Sequence, residues 1–353
     1  MAAIPHTMLR RKTLKTLTRL FTSSLTPLMS PKPRRRKAAP AKAVQPAKPR
    51  TVRTLAKAAA PAKPSAGRWL VGVAVAPVGK RRYRLFLPAG RKPGERIPVV
   101  VMLHGCDQNA ARFADSTRMH LLAARAGFAV LYPEQDRLAN PNGCWNWYET
   151  RTQRAYAEAA LILQAVDQVC TLYGGDRTRV AIAGLSAGAG MAALVAARYP
   201  ERFQAVAMHS GVAPGRADST ASALRAMAGH GATDALAATP EDMLARWPAL
   251  LVIQGGRDRV VAPGNGEAAA LAWAQAAQAL PRAVRAVQRG KRHAMQVTDY
   301  RVRQRTVASL VEIPALGHAW SGGAAAQSYG DPKGPDASRL VWAFAQRQFA
   351  RRR

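Results

Sequence analysis

Acidic residues are missing from the start of this 353-residue chain, and the first is Glu95. Residues 1–64 hold 16 of the 53 Lys and Arg, and so carry roughly half of the formal net charge of +33. Such a segment cannot neutralise itself. It has almost no aromatics, and its Ala, Pro and Lys runs (Lys37 to Lys48, Ala58 to Pro64) bury too little apolar surface to offset chain entropy. Residues 1–66 are therefore expected to form a disordered basic tail, with 31–66 a partly extended linker.

Cysteine is scarce as well. Cys106, Cys144 and Cys170 are too few for a disulfide scaffold, and their count does not decide the compartment. No run of 18 apolar residues occurs, which argues against a transmembrane segment. A clear signal peptide is also lacking. Leu9-Arg10-Arg11-Lys12 loosely resembles a twin-arginine export signal, but Arg19 interrupts the apolar part and no small-x-small cleavage site follows. Two other readings stay open: no structure, or a basic amphipathic helix with Leu14, Leu17, Phe21, Leu25 and Leu28 on one face.

The remaining residues, 67–353, are different in kind. Apolar runs alternate with amphipathic stretches, enough for a large core. Residues 83–88, 99–103, 128–132, 180–183, 203–208 and 250–253 read as strands, most of them buried and parallel. Residues 113–126, 151–173, 187–199, 263–279 and 336–349 read as helices, and two more strands are expected near 295–303 and 307–313. Residues 212–248 break the rhythm and are expected to form a cap insertion. Alternation of this kind implies an α/β domain: a mainly parallel sheet covered on both faces.

Gly184-Leu-Ser-Ala-Gly188 lies between a strand and a helix. A serine at so sharp a turn has its hydroxyl exposed at the carboxyl end of the sheet, and the flanking glycines remove side chains that would collide there. A bland Gly-rich turn is the alternative, but the strand–helix context makes Ser186 the expected nucleophile. The Ala187 N–H, at the helix start, is expected to donate to an oxyanion. A serine hydroxyl needs a base, and the base needs an orienting acid. Asp258 follows the strand 250–253 in a loop, and His318 follows the strand ending near Ile313, so the order is Ser, acid, His. Asp234, Asp242 and Asp299 are alternative acids, though none directly follows so clear a strand. His293 is a competing base, set among Arg289, Lys291 and Arg292. Cys106, after the strand 99–103, is expected to supply the second oxyanion N–H; His104 reads as structural. Trp145, Trp147 and Trp320 lie in loops near the site and are expected to form a substrate pocket or simply to pack.

Cys106 and Cys144 follow sequential strands, whose ends are usually neighbours. A disulfide between them is expected under oxidising conditions, pinning the Trp145–Trp147 loop; two reduced cysteines in a cytosolic enzyme are the alternative. Cys170 is expected to stay free.

These segments resemble the poly(3-hydroxybutyrate) depolymerase family of esterases. The resemblance rests on Leu103-His-Gly-Cys-Asp-Gln-Asn109, Tyr132-Pro-Glu-Gln135, Cys144-Trp-Asn-Trp147, Gly184-Leu-Ser-Ala-Gly188, Gly317-His-Ala-Trp320 and Asp331-Pro-Lys-Gly-Pro-Asp-Ala-Ser338. It covers residues 68–350 and implies an α/β-hydrolase fold, a Ser186–His318–Asp258 triad and an extracellular location. It also implies hydrolysis of hydroxyalkanoate polyester or related feruloyl and acetylxylan esters. Ala189 departs from the family, which often has Gly there. No separate polymer-binding domain is seen within the chain, so soluble oligomers and small esters are expected as substrates. No metal or organic cofactor is expected. A serine peptidase, or a non-catalytic polyanion-binding protein, is the alternative from another class. The tail, residues 1–64, is expected to bind nucleic acid, anionic lipid or a granule surface non-specifically, or to be a plain linker.

Overall fold

The computed structural model of the protein describes residues 67–230 and 246–352. The expected tail, the middle of the expected insertion, and Asp234 and Asp242 lie outside the described residues.

Strands β1 (Gly67–Ala76) and β2 (Gly79–Pro88) open the described chain as an antiparallel hairpin. There follow β3 (Ile97–Leu103), α1 (Ala110–Thr117), α2 (Met119–Ala126), β4 (Ala129–Pro133), α3 (Arg154–Leu172), β5 (Gly175–Leu185), α4 (Ala187–Arg198), β6 (Ala205–His209) and α5 (Thr220–Met227). Next among the described elements come β7 (Ala249–Gly255), α6 (Gly264–Ala276), β8 (Leu280–Pro281), β9 (Arg285–Val287), β10 (Met295–Val302) and β11 (Arg305–Ile313). The chain closes with β12 (Trp320–Ser321), β13 (Gly330–Asp331) and α7 (Ala337–Phe349).

Eleven strands form one sheet in the order β1-β2-β4-β3-β5-β6-β7-β11-β10-β8, with β9 also paired to β10. The central pairs, from β4 through β11, are parallel. The outer pairs are antiparallel. This is the α/β-hydrolase arrangement expected, and period-2 geometry explains the continuous apolar runs. Val99, Val101, Ile182, Val206 and Leu250 face one hydrophobic cluster, to which α3, α4 and α6 contribute. Val100, Met102, Ala181, Ala183 and Leu251 face a second, to which α1, α2 and α7 contribute. Each fully buried Val or Leu of this kind contributes about 1.5–3 kcal/mol.

Two local expectations need correction. The single helix expected over 113–126 is two helices, broken at Arg118, which takes left-handed backbone angles (φ 52°). The apolar spacing runs on through the break, so periodicity is blind to it. A tertiary contact accompanies the turn, since the Arg118 guanidinium donates to the Gly322 carbonyl at 2.7 Å. Strand β1 was not expected at all. Its Val71, Val73 and Val75 face solvent, and Gly72 is required where a Cβ would stand 2.3 Å from the Tyr83 ring. Apolar residues on both faces, with small ones on the packed side, leave no alternation to read.

The strand order places a switch point between β3 and β5. From β3 the chain crosses to β4 on one side, and from β4 it returns to β5 on the other. At such a point the connections leave in opposite directions and open a crevice at the carboxyl ends. The loops after β3 and β5 flank it.

Candidate active site

The turn from β5 into α4 is too tight for side chains. A Cβ at Gly184 would lie 2.1 Å from the Gly188 carbonyl oxygen, and one at Gly188 would lie 2.3 Å from that of Leu103. Between them Ser186 has φ 56° and ψ −121°, a strained conformation for a residue with a side chain. Its N–H donates to the His209 carbonyl at 2.9 Å, tying the elbow to β6. The Ala187 N–H begins α4 and so has no partner within the helix. Ala189 is fully buried, and its methyl fits because residue 211 is glycine: a Cβ there would stand 2.5 Å away.

Asp258 sits in the loop after β7. One carboxylate oxygen accepts from the Val260 and Val261 N–H groups at 2.9 and 2.8 Å. The other faces His318 Nδ1 at 2.9 Å. Burial alone would raise the Asp258 pKa. The hydrogen bond and charge of His318, with the two backbone donors, outweigh burial and hold the carboxyl below its ordinary value. It is therefore an acceptor at neutral pH, which makes Nδ1 of His318 the donor of this hydrogen bond.

Ser186 and His318 open onto one cavity of about 420 Å³. Gly105, Cys106 and Ala187 line it beside them. Its walls are largely apolar and aromatic, with Trp145, Trp147, Tyr148, Val212, Met227 and Tyr329 among them. Trp320 does not line it. The ring is buried below, edge-on to Phe113, and its indole N–H donates to Ser338 Oγ at 3.2 Å. The expectation that it belongs to the pocket is corrected, because β12 turns that side chain into the second core cluster.

Cys106 and Cys144 are bonded, with Cα atoms 4.3 Å apart, and Cys170 is free and buried. The bridge joins the loop after β3 to the tryptophan loop. A buried carboxylate braces the same loop, since Glu158 accepts from the Asn146 amide at 2.7 Å, the Asn146 backbone N–H at 3.0 Å and the Gln135 amide at 2.7 Å. Each of its oxygens is thus bonded, as a buried polar group requires.

Two buried histidines support the flanking loops. His104, at the end of β3, accepts the Gln135 N–H on Nε2 at 3.1 Å, and its Nδ1 meets the Gly105 carbonyl at 2.8 Å. His209, at the end of β6, accepts the Ser321 N–H on Nε2 at 3.1 Å. Burial drives both away from the charged form. The His104 pKa is pushed down to about 4, with Arg81 and Arg137 adding to the effect and the Gly105 carbonyl opposing it. That of His209 is pushed down to about 3, with the charge of His318 adding and Asp258 opposing. Both rings are neutral acceptors at ordinary pH.

The profile of a family described as esterase PHB depolymerase matches residues 81–282, more than half of the chain. The protein belongs to this esterase family. Poly(3-hydroxyalkanoate) depolymerase C of Paucimonas lemoignei is 40% identical over 115 residues, 32% of this chain and 28% of that protein. Feruloyl esterase B of Neurospora crassa is 29% identical over 203 residues, 54% of this chain and 68% of its own length. Among solved structures, an acetyl xylan esterase from Aspergillus awamori superposes with a TM-score of 0.57 at 20% identity, covering 71% of this chain and 94% of that one. A ferulic acid esterase superposes with 0.52 at 19%, covering 80% and 98%. These two likenesses show the fold.

Within this chain the candidate residues divide clearly. Ser186, Asp258, His318, Cys106, Ala187, Trp145 and Trp147 meet around one cavity or touch a residue that lines it. The competing acid Asp299 and the competing base His293 lie elsewhere, in a groove between α7 and the outer strands. His209 was missed, as were Tyr148, Met227, Val260 and Tyr329. The one local signal for His209 was its place before Ser210-Gly211 at a strand's carboxyl end, the same place that His104 has before Gly105.

Proposed function

We propose that the protein hydrolyses carboxylic esters through an acyl-enzyme on Ser186, with His318 as general base and Asp258 as its orienting acid. One observation carries the reading: the strained Ser186 elbow and the Asp258-bonded imidazole of His318 open onto the same cavity. Ser186 Oγ attacks the ester carbonyl as His318 Nε2 takes its proton. Asp258 holds the ring and stabilises the imidazolium. The Cys106 and Ala187 N–H groups donate to the carbonyl oxygen as it becomes an oxyanion. Collapse of this intermediate breaks the ester C–O bond, and His318 protonates the leaving alcohol. Water then gives a proton to His318 and its oxygen to the acyl carbon, releasing the acid and returning the proton to Ser186.

The substrates in this reading are short hydroxyalkanoate oligomers and related small esters. A second reading has support of its own. The aromatic lining (Trp147, Tyr148, Tyr329) suits a planar aromatic acyl group, as in the substrates named for the feruloyl esterase relative. The Cys106–Cys144 bridge favours an oxidising, extracellular setting over a cytoplasmic one. The tail, with its single sign of charge, serves in this reading as a salt-sensitive tether to a polyanion.

The test is hydrolysis of p-nitrophenyl esters of increasing chain length, beside hydroxybutyrate oligomers and ethyl ferulate. Ser186→Ala and His318→Ala are each expected to lower turnover by about four to six orders of magnitude, non-additively. A Ser186→Ala protein with near-normal activity ends the proposal. Ethyl ferulate outpacing every aliphatic ester would select the second reading.

A further inference from the structure

A second concavity is distinct from the one at the elbow. It runs between α7 and the outer strands β9, β10 and β11, encloses about 740 Å³, and shares no lining residue with the catalytic cavity. Among the described residues, seven arginines line it against two carboxylates, Asp299 and Asp336. The arginines come from separate segments: Arg285, Arg289 and Arg292 from β9 and the stretch after it, Arg301 from β10, and Arg339, Arg347 and Arg351 from α7 and its end.

The internal charge is oversubscribed. Asp299 is nearly buried and accepts from Ser309 Oγ at 2.6 Å, from Arg285 at 3.0 Å and from Arg301 at 3.2 Å. Its bonding capacity is largely used by these three. Arg347 has no ion pair among the described residues and packs instead over the Phe344 ring, 5.6 Å from its centroid. Burial, opposed by Asp299 and reinforced by Arg351, Arg285 and Arg301, pulls the Arg347 guanidinium below its ordinary pKa. Like charges gathered in a concave site with low-dielectric walls focus a positive potential and raise the local concentration of anions. Guanidinium forks match carboxylate and phosphate oxygens in pairs.

The floor narrows the choice of anion. Met295, Val297, Val311, Leu251 and Leu340 supply aliphatic surface, and among the described residues no Phe, Tyr or Trp lines the groove. Proteins that hold single-stranded nucleic acid stack its bases on aromatic rings, and this site offers none. The basic tail is excluded as occupant by its charge, since residues 1–64 contain no Asp or Glu. An aliphatic chain on the floor with an oxyanion at the arginine rim satisfies both halves of the lining.

We propose that this groove is a binding site for an anionic amphiphile, an aliphatic chain ending in a carboxylate or phosphate, separate from the ester-hydrolysing cavity. The site is tested by calorimetric titration of the full chain, below micelle concentration, with dodecyl phosphate, dodecanoate, butyl phosphate, inorganic phosphate and dodecyl maltoside. The two dodecyl anions are expected to bind at least tenfold more tightly than butyl phosphate and dodecyl maltoside, and the stronger of the two identifies the natural head group. Arg289→Gln with Arg347→Gln should weaken dodecyl phosphate binding at least tenfold and leave p-nitrophenyl acetate hydrolysis unchanged. The tail is present in both proteins, so the difference reports the groove. Arg289→Glu, at an exposed position, carries the same expectation if the double variant does not fold. Equal binding by wild type and Arg289→Glu overturns the proposal. So does inorganic phosphate binding as tightly as dodecyl phosphate, or an arginine-dependent preference for oligothymidylate over the amphiphiles.

Discussion

Acid should unfold this protein sooner than its carboxylates alone would require, because two buried imidazoles must accept protons. In the unfolded chain a histidine titrates near pH 6.5. In the folded protein His104 titrates at about 4 and His209 at about 3. Between these values the unfolded state binds more protons, so stability falls as pH drops through this window. Linkage puts the loss from pH 7 to pH 5 at about 2 kcal/mol for each ring, about 4 kcal/mol together, against a total stability of about 5–15 kcal/mol for a typical domain. The structural reason is the same at both sites: protonated Nε2 cannot accept the Gln135 or Ser321 N–H. Asp258, whose pKa is lowered, adds a loss of the same sign only at lower pH, as its carboxylate protonates. Urea unfolding at pH 7, 6 and 5 measures the slope. His209→Gln keeps an acceptor near the Nε2 position and removes one titrating group, so it should flatten the slope by about half. A wild-type stability unchanged from pH 7 to pH 5 would refute the reasoning, as would a His209→Gln variant that keeps the full slope.

Other outcomes can be checked separately. Thiol titration of oxidised, unfolded protein should find Cys170 as the only reactive cysteine, and replacing Cys106 and Cys144 by serine should cost about 3–4 kcal/mol, read as a lower urea midpoint. Trp320→Ala should destabilise by about 3–5 kcal/mol in the same assay, as expected for a buried ring. Trp147→Ala should instead be felt in KM and in acyl-chain preference, because that ring borders the cavity. Deleting residues 1–64 should leave small-ester turnover unchanged while weakening DNA and anionic-vesicle binding, most visibly at low salt; retained binding by the shortened protein would show that the tail is not the tether.

Local sequence determined most of the frame. Continuous β-branched runs specify strands buried on both faces, and Val99 to Leu103 and Leu250 to Ile253 do this within a few residues. The serine elbow is equally local, since both glycines and the strand–helix junction lie within one short segment. Asp258 and His318 could be singled out because the fold order requires an acid and then a base after successive strand ends. Contacts between residues far apart were legible only where strand order suggested them, as for Cys106 with Cys144. Whether an acid or base reaches the site depends on pairings such as Asp258 with His318, 60 residues apart, while Asp299 is drawn to Arg285, Arg301 and Ser309 instead. Trp320 has the same loop context as Trp147, yet only packing decides that one ring borders the cavity and the other fills the core. His209 gains its partner from Ser321, 112 residues along the chain. The arginine groove is assembled from strands and a helix spread over more than 60 residues, and no single segment carries its excess of charge. Periodicity and turn chemistry act over a few neighbours, so they specify elements; a site is a meeting of elements, and only the packed sheet decides which side chains meet.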